Sequence, residues 1–348
     1  MKTKKFTLHL LALILIVCIS TTSTASTLNR YETFFLDVFD TFTQVIVYTE
    51  KEETAKEIQQ FIHNELLKYH KLYNIYETYE GIANIKTIND QAGISPVVVD
   101  KEIINLLDFV INLNEKYNTN VNIAMGSVLS LWHYSRSFAN DNPEKASLPS
   151  MNKLQEANKY TNIANIIINK DDNSVYLKEK NMSLDVGAVA KGYAVEQIAK
   201  SLNLDDDTSV LLSVGGNVRA IGEKENGFVI GVQNPNLTAE NQSITRVILQ
   251  ENSFVSSGDY QRFFTVDGKN YHHIIDPTSL MPATHVSSVS VITKDSGLAD
   301  YLSTVLFILP IDEGLNLVNK IPDTHVLWIT SEGTMIRSQD FNLHEKQK

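Results

Sequence analysis

Stretches in which apolar residues recur at helical spacing alternate with stretches rich in β-branched and aromatic residues. Apolar residues recur every three or four positions over 52–72 and over 100–116, where Asp100 offers an N-cap, so both stretches are predicted as amphipathic helices. Further helices are predicted over 124–132, over 151–160, from within 183–192 to about 202, and over 298–307.

Strands are predicted where β-branched and aromatic residues cluster between turn residues. They cover 34–49, 210–214, 218–221, 228–232, 245–249, 253–256, 287–293, 326–330 and 333–337, with a hairpin inside 163–177. Segment 84–92 is predicted as a short strand or turn, and 136–149 as a polar loop. Helices and strands are mixed without strict βαβ alternation or a fixed-period repeat. The pattern therefore favours one α+β domain over residues 30–340, with mixed, largely antiparallel sheets and packed helices.

The composition suits a large domain with an acidic surface. Of the 348 residues, 43% are hydrophobic, which is enough for an extended core. The formal net charge of −11 argues against a surface that binds nucleic acid or anionic membranes. An anionic ligand would therefore need local donors or a metal ion.

The first 25 residues are predicted to be a signal peptide, so we expect the protein to be exported. An apolar run at 10–19 is too short to span a bilayer comfortably, and small residues suited to cleavage after Ala25 follow it. The basic residues before this run are Lys2, Lys4 and Lys5.

The single cysteine, Cys18, leaves the mode of attachment open. Residues 15–18 resemble a lipoprotein box, although Val17 is large for its position, so lipid anchoring at the membrane stands beside secretion or a signal anchor. Cleavage after Ala25 would leave no cysteine, and hence no disulfide and no thiolate chemistry.

An acidic residue and a hydroxyl lie four positions apart on the helix predicted near residue 300. Asp300 and Thr304 therefore share one face of that helix. Carboxylate and hydroxyl oxygens are hard donors that Mg²⁺ accepts, usually together with phosphates and waters. The same spacing is common on helices that bind no metal. The apolar residues at 305–309 nevertheless place Asp300 near the core, where it needs a partner.

Two adjacent histidines precede an Asp-Pro stop at 276–277. Tyr271, Ile274 and Ile275 indicate a strand, on which His272 and His273 point to opposite faces. Only one of the two can face a given site. A histidine satisfied in the core or lying on the surface is the alternative for each.

Glycines and a lysine mark the entry of the helix that opens within 183–192. In Asp185-x-Gly187-x-x-x-Lys191-Gly192 the backbone can approach a ligand closely, free amides suit phosphate oxygens, and the lysine can pair with a phosphate. Neither a Walker loop nor a dinucleotide fingerprint is matched, and a capped, closely packed helix is the alternative.

At three other places the sequence leaves both packing and ligand contact as interpretations. Each can be explained as a turn or as aromatic packing, or as a ligand contact. They are Gly215-Gly216, the segment 256–260, and the tyrosines Tyr73, Tyr76 and Tyr79.

These stretches, in this order, resemble the FAD:protein FMN transferase family, also called the ApbE family. The resemblance runs from about residue 34 to 330 through blocks at 183–194, 212–222, 256–263, 273–277 and 299–309. Residues 122–132 look like a degenerate copy of the family's Asp-x-Thr-x-Gly-Pro-Leu-x-x-x-Trp element.

The resemblance implies a T-fold-like, magnesium-dependent enzyme. Such an enzyme cleaves the pyrophosphate of FAD, attaches FMN to a threonine or serine hydroxyl of a target protein, and releases AMP. The targets would be exported proteins, of the kind that carry flavin in electron transfer. An FAD pyrophosphatase that uses water as acceptor, and a non-catalytic exported flavin-binding protein, are the alternatives.

The family pattern also implies roles for individual residues. Asp300 and Thr304 would ligate Mg²⁺, and His273 would contact FAD and serve as general base for the incoming hydroxyl. Main-chain oxygens near Ala188 and Gly297 would assist the metal, and FAD would also contact Asn122, Asp185, Lys191 and Ser257.

Several positions depart from the family pattern. Ala188 replaces a glycine, Gln261 a glutamate and Asn122 an aspartate. In the same upstream element Ala124 replaces a threonine and Ser127 a proline, and the turn at 278–282 is altered. None of these departures removes the implied metal or base residues.

Overall fold

A computed structural model describes residues 28–119 and 121–346. The predicted signal peptide and the alternative lipid anchor at Cys18 lie outside the described residues. Within the described ranges, no helix combines the length and the apolar character needed to cross a bilayer.

The described residues form strands and helices in mixed order. The strands are β1 (Asn29–Phe35), β2 (Thr43–Thr49), β3 (Val97–Val98), β4 (Ile166–Asn169), β5 (Ser174–Leu177), β6 (Ser209–Val214), β7 (Asn217–Ile221), β8 (Phe228–Gln233), β9 (Ser243–Leu249), β10 (Ser253–Gly258), β11 (Phe263–Val266), β12 (Lys269–His272), β13 (Ser288–Thr293), β14 (His325–Ile329) and β15 (Met335–Arg337). The α-helices are α1 (Glu52–Tyr73), α2 (Ile85–Asp90), α3 (Lys101–Tyr117), α4 (Gly126–Asp141), α5 (Met151–Asn158), α6 (Ala190–Ser201), α7 (Ser296–Ile308) and α8 (Ile311–Val318).

The framework is an antiparallel sheet of eight strands in the order β1-β2-β6-β7-β10-β13-β14-β15. Smaller sheets join β8 to β9, β11 to β12, and β3 and β4 to β5. The predicted α+β class with largely antiparallel sheets is therefore confirmed.

Both faces of the large sheet are buried, which explains why its central strands are apolar at nearly every position. In β2, Val45 and Val47 pack into the core beneath the helices, whereas Ile46 faces a second cluster with residues of the β8–β9 hairpin. β14 alternates in the same way, with Trp328 on the helix side and Leu327 on the hairpin side. A strand buried on both faces loses the polar alternation of a half-exposed one.

Helices α6 and α7 lie unusually close to each other. A Cβ added at Gly192 in the first turn of α6 would overlap the Ser296 carbonyl oxygen and the Asp300 Cβ of α7. The buried carboxylate of Glu196 fixes the same pair, since it accepts from the Ser296 N–H at 2.8 Å and from Arg219 of β7 at 3.2 Å. The entrance of α6 is thereby fixed against α7 and the sheet.

Several element predictions were wrong for identifiable reasons. Segment 84–92 contains helix α2, because Asn84 and Thr87 form a reciprocal capping box. The strand predicted over 34–49 is two antiparallel strands, and β12 stops at His272 rather than running to Ile275. Helix α4 continues to Asp141 through part of the predicted loop 136–149. Helix α8 and strands β3 and β11 were not predicted.

We expect Gly192→Ala to lower the free energy of unfolding by about 1 kcal/mol, because overpacking of about 1–3 kcal/mol outweighs the better helix propensity of alanine, which is worth at most about 1 kcal/mol. Chemical denaturation measures the change. Gly231→Ala in β8 is the matched control, since its nearest neighbour is the Ser243 hydroxyl at 3.2 Å. Equal stability of the two variants would contradict the close contact of α6 and α7.

Candidate active site

A cleft of about 670 Å³ opens where α6, α7 and the ends of several sheet strands meet. Its walls come from the β1–β2 loop, the end of α1, the start of α4, the turn between β6 and β7, the end of β10 and the segment after β12. The predicted site residues that line it are Asn122, Asp185, Ala188, Lys191, Ser257, His273, Asp300 and Thr304. Gly297 does not line it, and lies instead against Phe109 and Tyr193.

Asp300 is the most deeply buried acid of the cleft. Its Oδ2 accepts a hydrogen bond of 2.8 Å from the Gly192 N–H in the first turn of α6, where helix amides lack intrahelical partners. Burial raises the pKa of Asp300, and the Lys191 charge, the Gly192 amide and the Asn217 side chain only partly oppose this. A buried carboxylate of this kind is stabilised by any cation that reaches it.

The donors around Asp300 fit a magnesium ion that a ligand helps to hold. Thr304 lies one turn further along α7 and also faces the cleft, and Ala188 lines the same region. In the described part of the chain, no three His, Cys, Asp or Glu residues are grouped closely enough to hold a metal unaided. Mg²⁺ often binds through one or two protein oxygens plus phosphates and waters, so this sparse set suits it.

Three cations converge on the cleft without a close ion pair. Lys191, Arg136 and Arg262 line it, and within the described residues none of them forms an ion pair within 4.0 Å. Burial and the neighbouring Arg262 lower the pKa of Arg136. In a chain of net charge −11, unpaired cations in one cleft indicate an anionic ligand.

The two adjacent histidines have different surroundings. His272 is buried, with Nε2 2.8 Å from the Ala283 carbonyl oxygen and Nδ1 accepting from the Ile274 N–H at 3.2 Å. His273 faces the cleft, with Nδ1 3.3 Å from the Arg262 carbonyl oxygen. A carbonyl only accepts, so Nδ1 of His273 carries the proton and Nε2 keeps a free lone pair.

His273 is neutral in the absence of a ligand. Burial in the cleft, and then the charges of Arg262 and Arg136, lower the pKa of His273 to about 3, with smaller effects from His272 and Lys191. The ring is therefore in the form that can accept a proton. An anion bound among the same cations would raise this pKa.

Asp185 and Asn122 use their side chains partly to hold the backbone. Asp185 Oδ1 accepts from the Gly187 N–H at 2.9 Å, which shapes the entry to α6. Asn122 accepts from the Ala124 N–H at 2.9 Å and donates to the Thr161 carbonyl at 2.8 Å. Both the oxygen and the nitrogen of the Asn122 amide thus have protein partners. Asp185 uses only Oδ1 in this way, and its Oδ2 lies 4.0 Å from His133 Nε2.

Ser257 links β10 to α7. Its hydroxyl lies 2.8 Å from that of Ser303, which in turn donates to the Asp300 carbonyl at 2.8 Å. Ser257 therefore lines the cleft and also fixes the helix that carries Asp300.

Sequence reasoning missed His133 and Arg136. His133 Nδ1 lies 3.0 Å from the Tyr76 hydroxyl, and its Nε2 lies 4.0 Å from Asp185. Burial is the main cause that lowers the pKa of His133. Leu129, His133 and Arg136 share one face of α4, but the predicted helix stopped at 132 and hid this spacing.

The three tyrosines after α1 have different surroundings. Tyr73 is buried and lines the cleft, and Tyr76 lies in the cleft wall beside His133 with 59% of its surface exposed. Tyr79 accepts from Asn74 at 2.9 Å and does not line the cleft. Packing explains Tyr79, whereas Tyr76 is exposed in the wall of the cleft.

The loop between β1 and β2 is strained where it meets the cleft. Phe39 and Asp40 have φ values of 52° and 49°, in the left-handed region that residues with a Cβ disfavour. Such residues cost roughly 1–3 kcal/mol each and persist only where their surroundings hold them. The Phe39 N–H donates to His70 Nδ1 at 3.0 Å, a bond of about 0.5–1.5 kcal/mol.

Comparison with known proteins agrees with this architecture. The "FAD:protein FMN transferase" of Treponema pallidum (strain Nichols) is 31% identical over 261 residues, which cover 70% of each chain. That of Klebsiella pneumoniae (strain 342) is 28% identical over 289 residues, 81% of this chain and 87% of the relative.

Solved structures match over nearly the whole chain. The ApbE protein from Thermotoga maritima gives a TM-score of 0.80 at 28% identity, covering 92% of this chain and all of that one (100%). The flavin transferase ApbE from Vibrio cholerae gives 0.73 at 20% identity, with 91% and 100% covered, a likeness that concerns the fold. The ApbE family pattern itself matches residues 39–328, and this chain belongs to the ApbE family.

Proposed function

We propose that this protein is an FAD:protein FMN transferase that acts with Mg²⁺ outside the cytoplasm. The observation that carries the proposal is one cleft containing three unpaired cations, a neutral histidine with a free Nε2 and a buried carboxylate beside a hydroxyl. The names of the relatives point to the same activity. The predicted signal peptide motivates the extracytoplasmic location, either anchored at Cys18 or released.

Different residues of the cleft would bind different parts of FAD and the metal ion. Lys191, Arg136 and Arg262 would neutralise the pyrophosphate, while Asp185 accepts from the ligand and Tyr76 offers an aromatic face. Asp300 and Thr304 would hold Mg²⁺, with main-chain oxygen from Ala188. Bound there, the metal would neutralise charge on the pyrophosphate during phosphoryl transfer.

The reaction transfers the FMN phosphoryl group from AMP to a protein hydroxyl. The oxygen of a threonine or serine of the target attacks the phosphorus of the FMN half, and the bond from that phosphorus to the oxygen retained by AMP breaks. His273 Nε2 accepts the hydroxyl proton, while its Nδ1–H stays bound to the Arg262 carbonyl. The products are a phosphoester-linked FMN on the target and AMP.

The target proteins would be exported flavin carriers of electron transfer. A hydroxyl on such a protein must enter the cleft to reach His273, and Arg262, which also lines the cleft, is exposed. An acceptor segment must therefore be mobile enough to enter.

Incubation with FAD, Mg²⁺ and a candidate target domain should add the mass of FMN to the target and release one AMP per transfer. Intact-mass spectrometry and nucleotide chromatography measure both products. Free FMN with an unchanged target would indicate a pyrophosphatase that uses water. Binding of FAD without AMP release, and without effect of a chelator, would contradict catalysis altogether.

We expect Asp300→Asn to lower kcat about a hundredfold or more, because a ligand charge worth several kcal/mol is lost. The amide oxygen can still accept from Gly192, so the contact of α6 with α7 is kept. Asp312→Asn on the exposed face of α8 is the matched control and should retain full activity. Unchanged Mg²⁺-dependent turnover in Asp300→Asn would refute the metal assignment.

His273→Gln should lower kcat about 10²–10⁴-fold and also remove proton uptake on FAD binding. The pKa of about 3 in the free protein rises when the pyrophosphate arrives, so the complex binds more protons than the free protein, and affinity gains from this group as pH falls. Calorimetry near pH 6 in two buffers of different ionisation enthalpy measures the uptake. His285→Gln, at an exposed site, should leave it intact. Equal uptake in His273→Gln and the parent protein would exclude this role.

A further inference from the structure

The β1–β2 loop, residues 36–42, forms one wall of the cleft and is held from both sides. Phe39, Asp40 and Thr41 line the cleft. On the sheet side, the Gly215 N–H donates to the Phe42 carbonyl at 3.0 Å, and Gly215 lies directly against Thr41. On the helix side, the anchor of the left-handed pair Phe39–Asp40 is His70 of α1.

The contacts of His70 define its protonation state. Nδ1 accepts from the Phe39 N–H at 3.0 Å, so it carries no proton. A neutral imidazole then has its proton on Nε2, which lies 3.2 Å from the Tyr79 hydroxyl and donates to it. The Tyr79 oxygen also accepts from Asn74 at 2.9 Å, which fixes its position.

Protonation of His70 would break the contact with Phe39. A second proton on Nδ1 would face the Phe39 N–H, so that two donors oppose each other and the backbone amide loses its acceptor. Tyr79, the partner of His70, is neutral, and burial raises its pKa further. The charged groups around Tyr79 are Asp40 in the loop, Glu77 and Lys71. None of these supplies the Phe39 amide with another acceptor in the observed hydrogen bonds.

We propose that His70 is a positioning residue, whose neutral form holds Phe39 and Asp40 in the cleft wall and whose protonation releases them. Ligand binding at the cleft then weakens in acid. The inference rests on the proposed function only for the identity of the ligand, FAD. The conformational part concerns the free protein.

The same helix face provides a matched control. His63 lies seven residues before His70 and holds the same loop through Asp37, with Nε2 2.9 Å from Oδ2, while its ring stacks on Phe35 at 4.2 Å. Protonation strengthens this ion pair. The two histidines therefore respond to acid with opposite signs.

Hydrogen–deuterium exchange of residues 36–42 in the free protein tests the conformational part. Protection, corrected for intrinsic rates, should be lower at an acidic than at a neutral pH in the parent protein and in His63→Asn. In His70→Asn it should stay constant, because the amide oxygen accepts from Phe39 and does not titrate. The same fall in His70→Asn as in the parent protein would overturn the proposal. His70→Ala should show low protection at both pH values.

Dissociation constants for FAD at the same two pH values test the functional part. In acid, the dissociation constant of the parent protein should be about fivefold or more above that of His70→Asn at the same pH. Both proteins contain His273, so its opposite effect on FAD binding cancels in this comparison. Equal pH dependence of the two proteins would overturn the positioning role. Loss of loop protection in a protein that binds no FAD at any pH would instead reject the proposed function and leave the loop mechanism standing.

Discussion

The rest of the site depends on the contact between helices α6 and α7, which Gly192 and the Asp300 carboxylate make possible. Asp300 can reach the first turn of α6 only because Gly192 has no side chain, and its carboxylate then satisfies an amide at the helix N-terminus. Glu196, Arg219 and Ser296 hold the same two helices in register from within the core. A rigid, buried acid is thereby placed at the inner end of the cleft, where a less constrained carboxylate would turn toward water.

Electrostatics divides the cleft into an inner and an outer part. Near Asp300 the dominant neighbouring charge is Lys191, whereas His273 lies within the influence of Arg262 and Arg136 as well. The free protein therefore keeps a neutral imidazole among cations, where a proton is disfavoured and phosphate oxygens would be favoured. Binding of an anion and the protonation of His273 are linked through these same charges.

The sequence predicts the framework well, because most of its elements are long and strongly patterned. Helices α1, α3, α6 and α7 and most strands of the large sheet follow directly from periodicity and apolar runs. Local chemistry caused the misses, as where the capping box at Asn84 makes a helix of a segment that looks like a turn. Spacing alone allows both packing and ligand contact at Lys191 and Asp300, and only the family resemblance favours ligand contact there.

The rest of the site depends on three-dimensional neighbours that no local pattern reveals. Arg136 and His133 were not predicted because the helix that carries them was predicted to end at residue 132. Arg262 lies in a turn, where no periodic pattern marks it. The seven-residue spacing of His63 and His70 on α1 was visible, but its meaning appears only when the β1–β2 loop folds over that face.

The proposed function requires that this cleft bind FAD with its pyrophosphate between the helix pair α6 and α7 and His273. A crystal structure with FAD and Mg²⁺ tests it most directly. We expect electron density for the metal at Asp300 and Thr304, with the FMN phosphorus facing Nε2 of His273 and phosphate oxygens on Lys191. Density for FAD elsewhere, or a pyrophosphate in this cleft turned away from both His273 and Asp300, would contradict it.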